Sequence, residues 1–182
     1  MLKLARRLKR AIRHDAGAAK LRAKGTRLGR DVYLAPTATI DPDFCWLVAI
    51  GDETTIAPGV RILAHDASTK RRLGYSRVAR VEIGSRVFIG ADSILLPGVT
   101  VGDDAIIGAG SVVRNDVPEG SMVAGNPAVV VGRTDDYVSN HRLRLADSQL
   151  FDRDRFTVGG GVTDDAKAEM WERLEEEPGY VH

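Results

Sequence analysis

Aliphatic residues recur at every sixth position through residues 83–118, and this spacing dominates the hydrophobic pattern of the chain. The six pieces open with Ile83, Ile89, Leu95, Val101, Ile107 and Val113. A helix would scatter these positions around its circumference, and they do not follow the two-residue alternation of an ordinary strand. A fixed hexapeptide period is typical of a β-helix, in which each piece forms a very short strand and then turns a corner. We therefore predict a coil of short strands.

The period extends more weakly towards the N-terminus and is interrupted twice. It slips between Ile40 and Ile50, which lie ten positions apart, so we expect a bulge or short excursion there. It is lost again over residues 64–80, a polar and basic stretch, and Val81 restores it. Insertions in a repeat architecture form loops on one face and often build the functional site. We predict a β-helix over residues 28–133 with a loop insertion at residues 64–80.

The segments on either side of the repeat carry opposite charges. Residues 1–24 hold nine Lys or Arg residues against one acid and are predicted to form a basic helix. Such a helix could lie on an anionic membrane surface, or it could pack on one end of the β-helix with its charges solvated. Residues 134–182 are predicted to form a polar connector and then an acidic helix from about Asp164 to Glu177, with Thr163 as its N-cap. We expect the acidic helix to pack or to bridge subunits.

Composition and charge exclude several classes of protein. The single cysteine, Cys45, leaves no intramolecular disulfide and no cysteine-cluster metal site. No apolar run approaches the roughly 20 residues of a spanning helix, and no secretory signal is visible. We therefore expect a cytoplasmic protein, peripheral at the inner membrane face if residues 1–24 bind lipid. The net charge is only +1 and no base-reading motif is present, so nucleic acid is not an expected partner.

The end of the repeat, IGAGSVVRNDVPEGSMVAGNPAVVVGR, resembles the hexapeptide-repeat acyltransferases. Within that family it is similar to the maltose, galactoside and polysaccharide O-acetyltransferases, through the hexads, the histidine in ILAHDAS and the closing AGNPA. The resemblance implies an all-β fold, a left-handed parallel β-helix of about five coils with three hexads in each coil. It also implies a homotrimer that binds acetyl-coenzyme A between subunits and takes part in polysaccharide modification.

His65 is the only histidine inside the repeat, and it stands where the insertion begins. A lone histidine is more often structural than catalytic, but this position matches the catalytic position of the resembled family. The resemblance implies direct transfer of acetyl from acetyl-coenzyme A to a hydroxyl of a sugar or saccharide, with His65 as general base and no metal. Asp66 could orient the ring, but adjacent residues of an extended segment point in opposite directions. A solvated loop position is therefore favoured for Asp66.

The resemblance also indicates binding residues. Asp41 and Asp43 are candidates for gripping sugar hydroxyls, and Trp46 could stack on a sugar ring or simply pack at a corner. The positions similar to the coenzyme contacts of the family are Ala91, Ala109, Arg114, Asn115 and Arg133. Arg114-Asn115 stands where the family frequently has Thr-Lys, so the phosphate contacts differ. The cations at residues 70–72 could reach a coenzyme or an anionic acceptor, or could be solvated.

Two other functions stay open. An N-acetyltransferase acting on an amino sugar or a xenobiotic would use the same base and the same cleft. A non-catalytic β-helix scaffold subunit would share only the fold, since a fold does not imply an activity. The combination of His65, the insertion and the basic groove candidates argues against the scaffold. A γ-type carbonic anhydrase is excluded, because it holds zinc with three histidines from two subunits.

Overall fold

The computed structural model describes residues 17–182, which form two compact units, residues 17–135 and residues 136–182. The predicted basic helix therefore lies largely outside the described residues. Its end is described: residues 17–23 are helical (α1). None of the helices within residues 17–182 has the length and apolar character needed to cross a membrane.

Residues 17–135 form a β-helix built from three sheets of short strands. Sheet A contains β1 (Arg27–Leu28), β4 (Val48–Ile50), β9 (Val81–Ile83) and β12 (Thr100–Val101), in that order. Sheet B contains β2 (Tyr33–Leu34), β5 (Thr55–Ile56), β10 (Phe88–Ile89), β13 (Ile106–Ile107), β15 (Ser121–Gly125) and β16 (Ala128–Arg133). Sheet C contains β3 (Thr39–Ile40), β6 (Arg61–Ile62), β11 (Ile94–Leu95) and β14 (Val112–Val113). All pairings within these sheets are parallel except that of β16 with β15.

The core is a set of aliphatic columns that run through the coils. In each two-residue strand one side chain points outward and the next points inward, because successive side chains alternate across a strand. In sheet C, Leu95 lies in register between Ile62 and Val113. The residues that open the six hexads are all buried, with exposures of 4% or less. The hexapeptide period is thus the period of core packing, one aliphatic residue for each face of each coil.

The corner between sheets A and B has the same backbone conformation in four coils. Asp31, Glu53, Arg86 and Asp104 each lie three residues after a strand of sheet A and have positive φ values between 53° and 57°. Asp adopts this region more readily than Glu or Arg, which have no local side-chain hydrogen bond to offer the backbone. The Arg86 side chain donates to Asp104 in the next coil, from Nε to Oδ1 at 2.7 Å and from Nη2 to Oδ2 at 2.7 Å.

Both interruptions of the period lie at the corner that leads from sheet C to sheet A. The first is a short 3₁₀ helix, Cys45–Leu47, between β3 and β4. The second follows β6 and contains β7 (His65–Asp66), α2 (Lys70–Leu73) and β8 (Arg77–Val78), with β7 and β8 antiparallel. The coils on either side keep their register, since β3 pairs with β6 and β4 pairs with β9. The interruptions therefore project from one edge of the β-helix.

The second unit is mostly helical. Its elements are α3 (Thr134–Leu145), β17 (Leu150–Phe151), α4 (Arg153–Phe156), α5 (Asp164–Arg173) and β18 (Tyr180–Val181). Phe151, Phe156 and Ala166 form its small core. The hydroxyl of Thr163 accepts a hydrogen bond from the Ala166 N–H at 3.2 Å, which confirms the predicted N-cap.

The structure corrects the expected course of residues 134–182 in two places. The acidic helix α5 ends at Arg173 and not near Glu177, because Leu174 has left the helical conformation. The expected polar connector contains α3, a helix of 12 residues. No residue of α3 is buried, so the helix has no apolar stripe from which its period could be predicted.

The columns make a direct prediction about stability. Leu95→Ala removes a fully buried side chain and should lower the free energy of unfolding by about 2–5 kcal/mol, as measured by urea denaturation. The matched control is Leu143→Ala on α3, where Leu143 is 74% exposed and a change below about 0.5 kcal/mol is expected. Equal losses in the two variants would contradict the proposed importance of the columns.

Candidate functional site

His65 and Asp41 form a close pair at the edge of the β-helix. Asp41 directly follows β3 and His65 begins β7 just after β6, so the pairing of β3 with β6 brings them together across 24 positions of sequence. His65 Nδ1 lies 2.5 Å from Asp41 Oδ2. The His65 side chain is 27% exposed, whereas that of Asp41 is 0% exposed. A partly exposed imidazole is thus bonded through Nδ1 to a buried carboxylate.

The carboxylate of Asp41 is saturated with hydrogen bonds. Oδ2 accepts from the backbone N–H of Ala64 at 2.9 Å and of His65 at 3.1 Å. Oδ1 accepts from the N–H of Asp43 at 3.1 Å and of Phe44 at 3.0 Å. Burial tends to raise the pKa of Asp41, but the bond with His65 and these backbone donors outweigh it and hold the pKa below its ordinary value. Asp41 is therefore ionised near neutral pH.

This arrangement fixes the protonation of the ring. An ionised carboxylate can only accept hydrogen bonds, so in the neutral imidazole the proton lies on Nδ1 and faces Asp41. Nε2 then carries the free lone pair and is the nitrogen left to take a proton from another molecule. The geometry suits a general base whose tautomer and orientation are set in advance.

One aromatic side chain lies against His65, and a second lies against the first. The Phe44 ring lies 5.2 Å from the His65 ring between centroids, and the Trp46 ring lies 5.6 Å from that of Phe44. Trp46 is 51% exposed, so half of its surface remains open to solvent. The expected excursion is the 3₁₀ turn Cys45–Leu47, which follows Phe44 and contains Trp46. Packing against Phe44 leaves about half of the Trp46 side chain exposed.

The three acids near His65 have different environments. Direct contact of Asp41 with a sugar hydroxyl finds no support in this geometry, because its carboxylate is buried and fully engaged. Asp43 is exposed and its carboxylate is free to contact an acceptor. Asp66 accepts a hydrogen bond from the Ser68 N–H at 2.8 Å, and this bond is the main cause of its lowered pKa. Asp66 is thus an exposed loop residue, and it is Asp41 that orients the ring.

The cationic coenzyme candidates lie in two places. Arg114 and Asn115 are exposed and follow β14 in sheet C, at the same corner as His65. Two strand spacings separate β6 from β14, so Arg114 and Asn115 lie roughly 10 Å from the end of β6 along the axis of the β-helix. Arg133 ends β16 and donates from Nη1 to the Glu119 carbonyl at 3.1 Å. Its guanidinium is thus anchored beside the β15–β16 hairpin.

Ala91 and Ala109 lie at a different corner, between sheets B and C. They occupy equivalent positions of successive coils, since the Gly110 N–H donates to the Ala91 carbonyl at 2.8 Å. Methyl side chains leave the backbone accessible at both positions. Within one chain the five coenzyme candidates therefore do not form a single cluster, and only Arg114 and Asn115 share the corner of His65.

The part that Asp41 plays was missed from the sequence, although a signal was present. The hexads that begin at Ile40 and Ile62 belong to the same column, so the residue after Ile40 must lie beside the chain that leads to His65. Among the residues that the structure describes, no group of His, Cys, Asp and Glu is arranged to hold a metal ion.

The buried carboxylate predicts a pH-dependent loss of stability. Asp41→Asn should lower the free energy of unfolding by about 2 kcal/mol at pH 7, because an amide cannot accept from all four N–H groups and the ring. The folded pKa of Asp41 lies below its ordinary 3.8, so its contribution is present above that pH and is lost as pH falls through the folded pKa. The gap between wild type and variant should narrow below about pH 4, where the carboxyl of Asp41 becomes protonated first in the unfolded chain and then in the folded one.

Denaturation curves across this range measure the gap. Asp43→Asn is the matched control, since its carboxylate is exposed and should change stability by less than about 0.5 kcal/mol. A gap for Asp41→Asn that is the same at pH 7 and pH 3 would show that ionisation of Asp41 does not contribute.

Comparison with known proteins relates this geometry to a family. Residues 80–115 match the family model described as bacterial transferase hexapeptide (six repeats). The chain is 37% identical over 112 residues to the galactoside O-acetyltransferase of Escherichia coli (strain K12), covering 60% of this chain and 54% of that protein. It is 35% identical over 105 residues to the Bacillus subtilis (strain 168) protein YvoF, covering 58% and 59%. The chain thus spans less than two thirds of the length of these relatives.

Solved structures show the same likeness. A galactoside acetyltransferase in complex with coenzyme A aligns with a TM-score of 0.56 at 34% identity, over 63% of this chain and 58% of that chain. A hexapeptide-repeat-containing acetyltransferase from Vibrio cholerae O1 biovar eltor, complexed with acetyl coenzyme A, aligns with a TM-score of 0.55 at 26% identity, over 61% of each chain. These neighbours imply that the β-helix is left-handed. The resemblance drawn from the sequence is confirmed: the chain carries the hexapeptide repeat of the bacterial transferases and is similar to the galactoside acetyltransferases among them.

Proposed function

We propose that the protein is an acetyl-coenzyme A-dependent O-acetyltransferase that transfers acetyl directly to a hydroxyl of a sugar or saccharide. The observation that carries this proposal is the His65–Asp41 pair, a partly exposed imidazole held through Nδ1 by a buried, ionised carboxylate. The similarity to a galactoside O-acetyltransferase supports a sugar hydroxyl as acceptor. We assign the transfer to residues 28–133 and no chemical step to residues 134–182.

In the proposed reaction Nε2 of His65 takes the proton of the acceptor hydroxyl as its oxygen attacks the thioester carbonyl. The tetrahedral intermediate collapses, the carbon–sulfur bond breaks, and the imidazolium returns the proton to the departing thiolate. Asp41 acts as a positioning residue, because it holds the ring and stabilises the imidazolium that forms. A general base contributes about 10²–10⁴-fold, so alignment of the two substrates and stabilisation of the oxyanion must supply the rest.

The coenzyme site is proposed to lie between subunits. Two structural neighbours contain coenzyme A or acetyl coenzyme A, which supports acetyl-coenzyme A as donor. The exposed Arg114, with Asn115 beside it, could bind phosphate through charge-assisted hydrogen bonds. Arg133 is a second candidate for phosphate. Ala91 and Ala109 lie at another corner of the same chain, so a neighbouring copy would be needed to combine them with His65 in one groove.

The outer surface of sheet B favours assembly with further copies. Its outward positions read Tyr33, Thr55, Phe88, Ile106 and Met122 along one column. The corresponding column of sheet A reads Arg27, Ala49, Glu82 and Thr100. Phe88 is 45% exposed in the single chain, and an apolar sheet face of this kind is normally covered. We propose a homotrimer, the assembly that the family resemblance implies, with active sites between its subunits.

The basic N-terminal segment is proposed to give a cytoplasmic enzyme a peripheral contact with anionic lipid. Removing residues 1–16 takes away six of the nine cations of residues 1–24 and one acid. The truncated protein should lose cosedimentation with phosphatidylserine vesicles at low salt, while the full chain binds. Vesicle binding that survives the truncation would show that residues 1–16 are not the membrane contact.

The base assignment is tested with His65→Gln. This variant should lower kcat by about 10²–10⁴-fold with acetyl-coenzyme A and a panel of saccharides, while calorimetric binding of coenzyme A stays within about twofold. His141→Gln, a histidine of the second unit that bonds to Tyr180, is the matched control and should leave kcat unchanged.

Each other outcome identifies a different error. Equal turnover by wild type and His65→Gln would disprove the role of His65. Absence of coenzyme A binding to the wild type would favour the scaffold subunit. Turnover confined to the amino sugars of the panel would favour the N-acetyltransferase.

A further inference from the structure

Three consecutive cations occupy the tip of the hairpin that begins at His65. Lys70, Arg71 and Arg72 make up most of α2, and all three are exposed. Within residues 17–182 their side chains form no ion pair and no hydrogen bond. Arg80, at the end of the same insertion, is instead paired with Glu82 at 3.3 Å. The three cations therefore carry positive charge that the described part of the chain does not neutralise.

The tip is held in shape by its own hydrogen bonds. The hydroxyl of Thr69 donates to the Tyr75 carbonyl at 3.0 Å, across the two ends of α2. Gly74 ends α2 with a φ of 79°, a conformation that favours glycine, and its N–H donates to the Lys70 carbonyl at 2.8 Å. At the base of the hairpin His65 pairs with Val78. A ligand that binds the three cations would find the backbone already ordered, which lowers the entropic cost of binding.

The tip is also close to the proposed base along the chain. Lys70 follows His65 by five residues, so their Cα atoms can be at most about 18 Å apart. Leu73 and Tyr75 flank the cations and are 66% and 79% exposed. A tyrosine ring presents an apolar face and a polar tip, which suits a sugar ring with both kinds of surface. An oligosaccharide whose hydroxyl lies at His65 could therefore extend to the cations.

We propose that Lys70, Arg71 and Arg72 form a binding site for the carboxylate or phosphate groups of an acidic saccharide acceptor. This inference rests on the proposed acetyltransferase function and names its substrate class. Guanidinium groups bind carboxylate and phosphate through paired hydrogen bonds, and a lysine adds a mobile point charge.

The insertion also contains Arg80, which is paired with Glu82, and Arg77, whose charge interacts with that of Asp66. Three cations are left for a ligand, fewer than the four to eight of clusters that usually bind anionic lipid, and this favours a single acidic ligand.

The test uses the full chain and two acceptors of equal length, a neutral galacto-oligosaccharide and an oligogalacturonate. The wild type should prefer the acidic acceptor in kcat/KM. In the triple variant Lys70→Gln/Arg71→Gln/Arg72→Gln this preference should fall about 10- to 100-fold, because glutamine keeps helix propensity and removes the charge. The wild-type preference should also shrink as salt rises from about 50 to 500 mM, because the contacts are exposed.

The matched control removes three exposed arginines from the second unit. Arg142→Gln/Arg144→Gln/Arg153→Gln lowers the net charge by the same amount and should leave the acceptor preference unchanged. An equal loss of preference in the control would show a general charge effect and would overturn the site. A selective rise in the KM for acetyl-coenzyme A in the hairpin variant would assign the cations to the phosphates of the donor.

A lipid surface and a failed activity give different results. Loss of phosphatidylserine-vesicle binding in the hairpin variant, with the acceptor preference intact, would assign the tip to membrane and overturn the proposal. If the wild type acetylates no acceptor, the proposed function fails, and the site is then tested by calorimetry with oligogalacturonate alone. Binding that the hairpin variant loses and the control keeps would support the site independently, whereas no binding to the wild type would reject it.

Discussion

The architecture depends on vertical stacking, because no strand is long enough to be stable by itself. Most strands of the three sheets contain two residues, so each makes very few hydrogen bonds to its neighbours. What holds a coil in place is the registration of one inward aliphatic side chain on the next, as in the column Ile56, Ile89 and Ile107. Inserting or deleting one residue within a face would turn the inward side chain outward. The inward side chains of the following coils would then lose their packing partners. The chain can therefore vary only at its corners.

The candidate site lies at such a corner, where the chain departs from the hexapeptide period. Both departures from the period lie at the corner between sheets C and A, one at Cys45–Leu47 and one beginning at His65. The regular columns keep these two segments one coil apart. Asp41 therefore accepts hydrogen bonds from the ring of His65 and from the backbone N–H of Ala64, which precedes it. Rigid coils thus position a short polar network with an accuracy that a flexible loop would not provide.

The hexapeptide period of the sequence was enough to predict most of the fold and part of the candidate site. The hexads identified the buried column, and the break in period identified His65 and the insertion. Asp41 was predicted to contact a sugar hydroxyl, but it bonds to His65. The signal for this contact lies in the in-register pairing of Ile40 with Ile62, which the sequence shows only once both hexads are assigned to the same face. Helix α3 was missed for a related reason, since none of its residues is buried. A groove between subunits cannot be derived from one chain, because the residues that would meet there lie at different corners.

Because the corner between sheets A and B repeats, the length of the β-helix can be counted in whole coils. Ile83 and Val101 lie in register 18 positions apart, and Arg86 and Asp104 turn the chain with almost identical φ values in those two coils. A tandem duplication of 18 residues in this region would insert one complete coil, with its corner conformation and inward side chains already correct. The same duplication around His65 would not, because Ile50 and Ile83 are 33 positions apart there. The β-helix thus has one segment in which an 18-residue duplication adds a whole coil, and another, around His65, in which the same duplication does not.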